Sequence, residues 1–139
     1  MRTATGARAV VTILLLSVLS TQALANGDAG SGGDAGDSSS NATPLGPYNG
    51  TYNGNLTSGD EDWYSIQMPN GTGIAASLSF SNSASIDFDL YLYDSSNYSI
   101  DYSWYSDPVE NVTSNGSSVG GTTVTLWAVS YTHLTLPTI

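Results

Sequence analysis

The chain has 139 residues, with 12 Asp and Glu, two Arg, one His, no Lys and no Cys, and a formal net charge of −10. That acidic surface cannot neutralise phosphates, which excludes nucleic acid and anionic lipid as partners. The missing Cys and Lys exclude disulfides, thiolate zinc sites, Schiff-base chemistry and P-loop chemistry.

Residues 1–25 carry the three parts of a secretory signal. Arg2 and Arg8 form the positive start, AVVTILLLSVL at 9–19 the apolar centre, and Ala23-Leu24-Ala25 the cleavage pattern. The apolar stretch is too short for the roughly 20 residues of a membrane-spanning helix, so export without membrane insertion is expected. Cleavage after Ala25 removes both arginines and no acid, taking the charge to −12. Residues 26–47 are Gly, Ser, Asp and Ala with no apolar period, and are read as a disordered linker. Its Asp28, Asp34 and Asp37, spaced by glycines, form a flexible acidic arm.

Residues 48–128 read as strands. Tyr64, Ile66 and Met68 alternate with Trp63, Ser65 and Gln67; Ile74, Ala76, Leu78 and Phe80 alternate with Ala75, Ser77 and Ser79. Phe88, Leu90 and Leu92 are placed inward, against outward Asp87, Asp89, Tyr91 and Tyr93. Tyr98, Ile100, Tyr102 and Trp104 share one face, as do Val124, Leu126 and Ala128. A period of two with turn chemistry between runs (Pro69-Asn70-Gly71, Asp94 to Asn97, Asn115-Gly116) predicts an all-β chain, an antiparallel β-sandwich.

Two motifs, GDEDWYSI at 59–66 and DFDLYLYD at 87–94, resemble the bacterial and archaeal pre-peptidase C-terminal domain over residues 48–128. The resemblance implies a jelly-roll-like, non-catalytic module carried by secreted peptidases and other exported enzymes, with relatives that bind collagen and calcium. It also implies a closing strand after 124–128, so the sandwich is expected to be incomplete at its C-terminal strand. Residues 129–139 (VSYTHLTLPTI) hold the sole His, and 129–138 match the in-frame translation of a transposase end and sequencing adapter. They are read as a non-native tail that packs poorly, on a truncated gene product.

The chemistry left to such a chain is narrow. With His133 set aside, no Ser-His-Asp or metal-His arrangement is complete. Asp87 and Asp89 lie two apart on one strand, about 6.6 Å by strand rise, but on a flat face where solvation is the expected role. Hard oxygens are plentiful, which suits calcium. Asp60 and Asp62, at the entry to a strand, are the expected calcium ligands, with Asp34 and Asp37 brought in from the arm. Outward Trp63, Tyr91, Tyr93 and Tyr105 make a candidate binding face for an extracellular polymer or protein. The expected function is thus a non-catalytic binding module of an exported protein. The alternative is the N-terminal fragment of a secreted hydrolase whose catalytic domain lies downstream.

Overall fold

Alternating apolar residues set both the sheets and their shared interior. The computed structural model describes residues 10–17, 27–46, 50–57, 59–80 and 86–132. In chain order the strands are β1 (Val10–Ser17), β2 (Thr43–Pro44), β3 (Thr51–Gly54), β4 (Glu61–Gln67), β5 (Gly73–Phe80), β6 (Ile86–Tyr93), β7 (Ser99–Ser103), β8 (Val109–Ser114) and β9 (Thr123–Thr132). They form a five-stranded sheet ordered β2-β4-β9-β6-β7 and a four-stranded sheet ordered β3-β1-β5-β8. The chain is all-β, as its period predicts.

Inward residues from both sheets make one core. Tyr64 and Ile66 of β4, Phe88, Leu90 and Leu92 of β6, and Val124, Leu126 and Ala128 of β9 meet Ile74, Ala76 and Leu78 of β5 and Val112 of β8. Each large apolar side chain buried there contributes about 1.5–3 kcal/mol. The antiparallel ladders β4–β9, β6–β9, β6–β7 and β5–β8 carry this arrangement.

Five expectations need correction. First, residues 27–46 are folded. Asp28, Ala35 and Leu45 are buried, Trp63 N–H donates to the Gly36 carbonyl, and β2 pairs parallel with β4. The glycines work here through left-handed backbone more than through flexibility. Gly27 has φ 68°, and a Cβ on it would lie 2.2 Å from the Gly33 nitrogen. Second, β9 does not stop at residue 128: Val129 pairs with Glu61 and Asp89, Ser130 with Phe88, and both are buried. The expectation of poor packing fails at Val129 and Ser130, and the ladder runs on to Thr132; residues 133–139, His133 included, lie outside the described residues.

Third, the uncleaved chain has a strand where none is expected: Val10–Ser17, the centre of the signal-like stretch, has parallel registers to β3 and β5. A run of β-branched and aliphatic residues serves a sheet interior as well as it serves a signal. Fourth, the 98–104 run has the wrong phase: Tyr98, Tyr102 and Trp104 are exposed and Ser103 is buried. A register shift between Leu92 and Tyr93 against β7 accounts for this, because one extra residue inverts a strand's faces. Fifth, Asp87 and Asp89 are buried instead of solvated, with the Tyr91 hydroxyl donating to Asp89 Oδ2 at 3.2 Å.

Candidate metal centre and aromatic face

The acidic cluster is assembled by three pieces of chain. A glycine-rich loop at 27–34 presents Asp28 and Asp34, the segment before β4 presents Asp60, and the first inward position of β4 presents Asp62. Asp28 is held by its neighbours. Its Oδ2 accepts from the Ala35 amide at 3.2 Å and its Oδ1 from the Asn55 amide at 2.6 Å. Asp62 lies on the same phase as Tyr64 and Ile66, so alternation drives a carboxylate into the interior. The Tyr64 hydroxyl donates to Asp62 Oδ2 at 2.8 Å, while Asp62 Oδ1 is buried with no hydrogen-bond partner.

Carboxylate oxygens of Asp28, Asp34 and Asp62 all lie within 4.8 Å of one another, and so do those of Asp34, Asp37 and Asp60. The expected ligands Asp34, Asp37, Asp60 and Asp62 are thus neighbours, with Asp34 common to both groups. Asp28, part of the acidic arm but outside the expected ligand set, joins them. A cleft of about 290 Å³ opens beside the cluster, lined by Asp28, Asp34, Asp60, Asn55 and Thr57.

The electrostatics are unfavourable without a cation. Burial, and then the charges of Asp28, Asp60 and Asp34, push the Asp62 carboxyl up to about 7, against the lowering effect of the Tyr64 hydrogen bond. Burial, Asp60 and Asp28 likewise raise Asp34. Burial also raises the Tyr64 hydroxyl, which keeps it a donor. Calcium is coordinated by oxygens at about 2.3–2.6 Å, so opposed ligands stand about 5 Å apart. The cluster fits that size.

Another buried acid, Glu110, escaped the sequence reading. Glu110 of β8 faces inward, fully buried, accepting from the Ser103 hydroxyl and the Tyr105 amide. Burial raises its carboxyl above the ordinary range. Its polar side chain on the inward phase is what hid β8 from the alternation.

The aromatic residues form a rib across the outer face of the five-stranded sheet. Trp63 and Trp127 are ladder partners, their rings stacked at 5.4 Å and 12°. Tyr91 continues the row at 4.8 Å from Trp127, Tyr102 lies 6.4 Å beyond, and Trp104 follows at 4.4 Å. Tyr93 stacks on Trp63 at 5.4 Å. Of the four expected binding aromatics, Trp63, Tyr91 and Tyr93 are half-buried in this rib, while Tyr105 is 64% exposed. Ring faces engaged with each other are not free platforms; the most exposed rings among the described residues, Tyr98 and Tyr105, flank β7. The sequence reading missed Trp127 and Trp104; the ladders alone group Trp127 with Trp63 and Tyr91, whereas Trp104 follows β7 and joins through Tyr102.

No protein-family model matches this chain, and no curated protein matches it.

Proposed function

We propose that this is a non-catalytic binding module of an exported protein, clamped by calcium where its acidic arm meets β4 of the five-stranded sheet. One observation carries the reading: carboxylate oxygens of Asp28, Asp34 and Asp62 lie within 4.8 Å of one another, Asp62 keeps a buried oxygen with no hydrogen-bond partner among the described residues, and no Lys, Arg or His occurs between residues 9 and 132. An all-oxygen, multi-carboxylate cluster favours calcium over magnesium, which keeps most of its waters. The resemblance of 59–66 and 87–94 to pre-peptidase C-terminal domains supports the same assignment, and the signal-like residues 1–25 support export. The open aromatic rings toward β7 supply contact area for an extracellular polymer or protein.

The test is thermal unfolding in chelator and in millimolar calcium at fixed high ionic strength, since plain screening also stabilises an acidic protein. Calcium at a hundredfold excess over Kd adds about 2.7 kcal/mol, a rise of roughly 10 °C for a domain of this size. The rise disappears in Asp60→Asn combined with Asp62→Asn. An equal rise with sodium or magnesium, or one that survives both substitutions, overturns the calcium reading.

A further inference from the structure

A second cleft, of about 490 Å³, lies on the outer face of the five-stranded sheet, away from the acidic cluster. Its floor is Ser65 of β4 with Thr123 and Thr125 of β9. One wall is the 3-10 turn at Ser39–Asn41, which contributes Ser39 and Ser40; the other is the β6–β7 turn, with Asp94, Ser95 and Asn97. The volume falls in the roughly 300–1,000 Å³ range of small-ligand sites.

The lining chemistry selects the ligand. Hydroxyls dominate, with one amide and one carboxylate, and Ala42 is the sole apolar contributor. Polar surface is the larger share of the lining, and an anionic ligand finds no counter-charge between residues 9 and 132. Ser and Thr hydroxyls both donate and accept, matching a ligand whose own groups do both. Thr123 Oγ1 donates to Gln67 Oε1 at 2.9 Å, leaving its lone pairs to accept. Thr125 Oγ1 is buried with no hydrogen-bond partner among the described residues.

The second wall is rigid before any ligand arrives. Asp94 Oδ1 accepts from the Ser96 amide at 2.8 Å and the Tyr98 amide at 2.9 Å, and Asn97 takes the left-handed conformation at φ 63°. Such preorganisation lowers the entropic cost of binding. The floor also adjoins the aromatic rib, because Thr125 is the ladder partner of Tyr93, which stacks on Trp63.

We propose that this cleft binds a neutral saccharide, so that the polymer of the binding-module reading, on which this rests, is an uncharged polysaccharide. The experiment is an array of neutral and acidic oligosaccharides probed with the full chain, followed by calorimetric titration of cellohexaose, xylohexaose, maltohexaose and chitohexaose. The expected result is binding of at least one neutral oligosaccharide and no binding of polygalacturonate. Ser95→Trp, at an exposed turn position that leaves the core untouched, fills the cleft and abolishes the binding. Asn97→Gly keeps the left-handed turn, removes the amide and weakens binding roughly tenfold. Val109→Ala, exposed on β8 of the other sheet, leaves it unchanged. No neutral ligand on the array, binding that survives Ser95→Trp, or gelatin bound in place of any saccharide overturns the assignment. Calcium-dependent melting is measured without sugar, so the clamp and the saccharide site fail separately.

Discussion

The two sheets are built on different terms. Four of the five strands in the larger sheet come from residues 61–132, and its main ladders are antiparallel. The smaller sheet depends on a strand from the far N-terminus: β1 is the sole sheet neighbour of β3 among the described residues and pairs with β5 over eight rungs. All three parallel ladders involve β1 or β2. The larger sheet carries its own order, whereas the smaller is held by a segment that an export peptidase would remove. Cleavage after Ala25 and a paired β1 exclude each other in one molecule.

Deleting residues 1–25 therefore has the largest expected effect. It leaves β3 unpaired and one edge of β5 open, removing a large share of the 5–15 kcal/mol typical of a domain. Urea unfolding reads the loss, and hydrogen exchange localises it to β3 and β5 while β4, β6 and β9 stay protected. An unchanged transition would show that the smaller sheet stands without β1.

Truncating the larger sheet's core comes next. Phe88→Ala, at a fully buried position on β6, costs about 3–5 kcal/mol by denaturant unfolding. Leu78→Ala on β5 costs about 2–5 kcal/mol in the full chain, and much less once residues 1–25 are gone, if β5 is then loosened. Equal costs for Leu78→Ala in both backgrounds break the contrast between the sheets.

The third prediction concerns pH. Asp62 has a folded value of about 7, above its ordinary value of 3.8. Its protonation therefore stabilises the fold fully at low pH, and this contribution is lost as pH rises toward and through 7. In chelator, stability falls by roughly 2–4 kcal/mol between about pH 4 and about pH 8. Asp62→Asn flattens that slope. Calcium reverses it by taking the place of the proton, so its effect grows with pH; a calcium effect independent of pH argues against Asp62 as a ligand.

The smallest effect is in the rib. A double-mutant cycle on Trp63 and Trp127 is expected to give a coupling of about 0.5–1.5 kcal/mol. A coupling near zero would leave the pair as two independent contributions to burial.

The same contrast explains what could be read in advance. β4, β5, β6 and β9 each keep their apolar residues on one face, so their alternation is visible in 62–68, 73–80, 87–93 and 124–128, although Asp87 and Asp89 on the other face of β6 are buried as well. β8 was invisible because Glu110 occupies an inward position, and β7 was misphased because a register shift carries no compositional mark. β1 was read by its chemistry as a signal, since pairing with β3 and β5 is a long-range fact with no local trace. The acids Asp34, Asp37, Asp60 and Asp62 were legible as donors. Their convergence was not, because glycines at positive φ look identical in sequence to a flexible linker. Asp28 was named in the arm, but nothing local distinguished a buried acid held by the Ala35 and Asn55 amides from a solvated one.

The stacked rung of Trp63 and Trp127 also makes the larger sheet its own optical reporter. Tyr91 and Tyr93 lie within a few ångströms of those indoles, so light absorbed by the tyrosines drains into the pair by energy transfer. The pair straddles the β4–β9 ladder, and Tyr91 faces Trp127 across β6–β9. Tyrosine-excited tryptophan emission thus measures whether three strands are joined and in register, because a one-residue slip would turn one indole to the opposite face. No attached dye is needed to follow this sheet as it assembles.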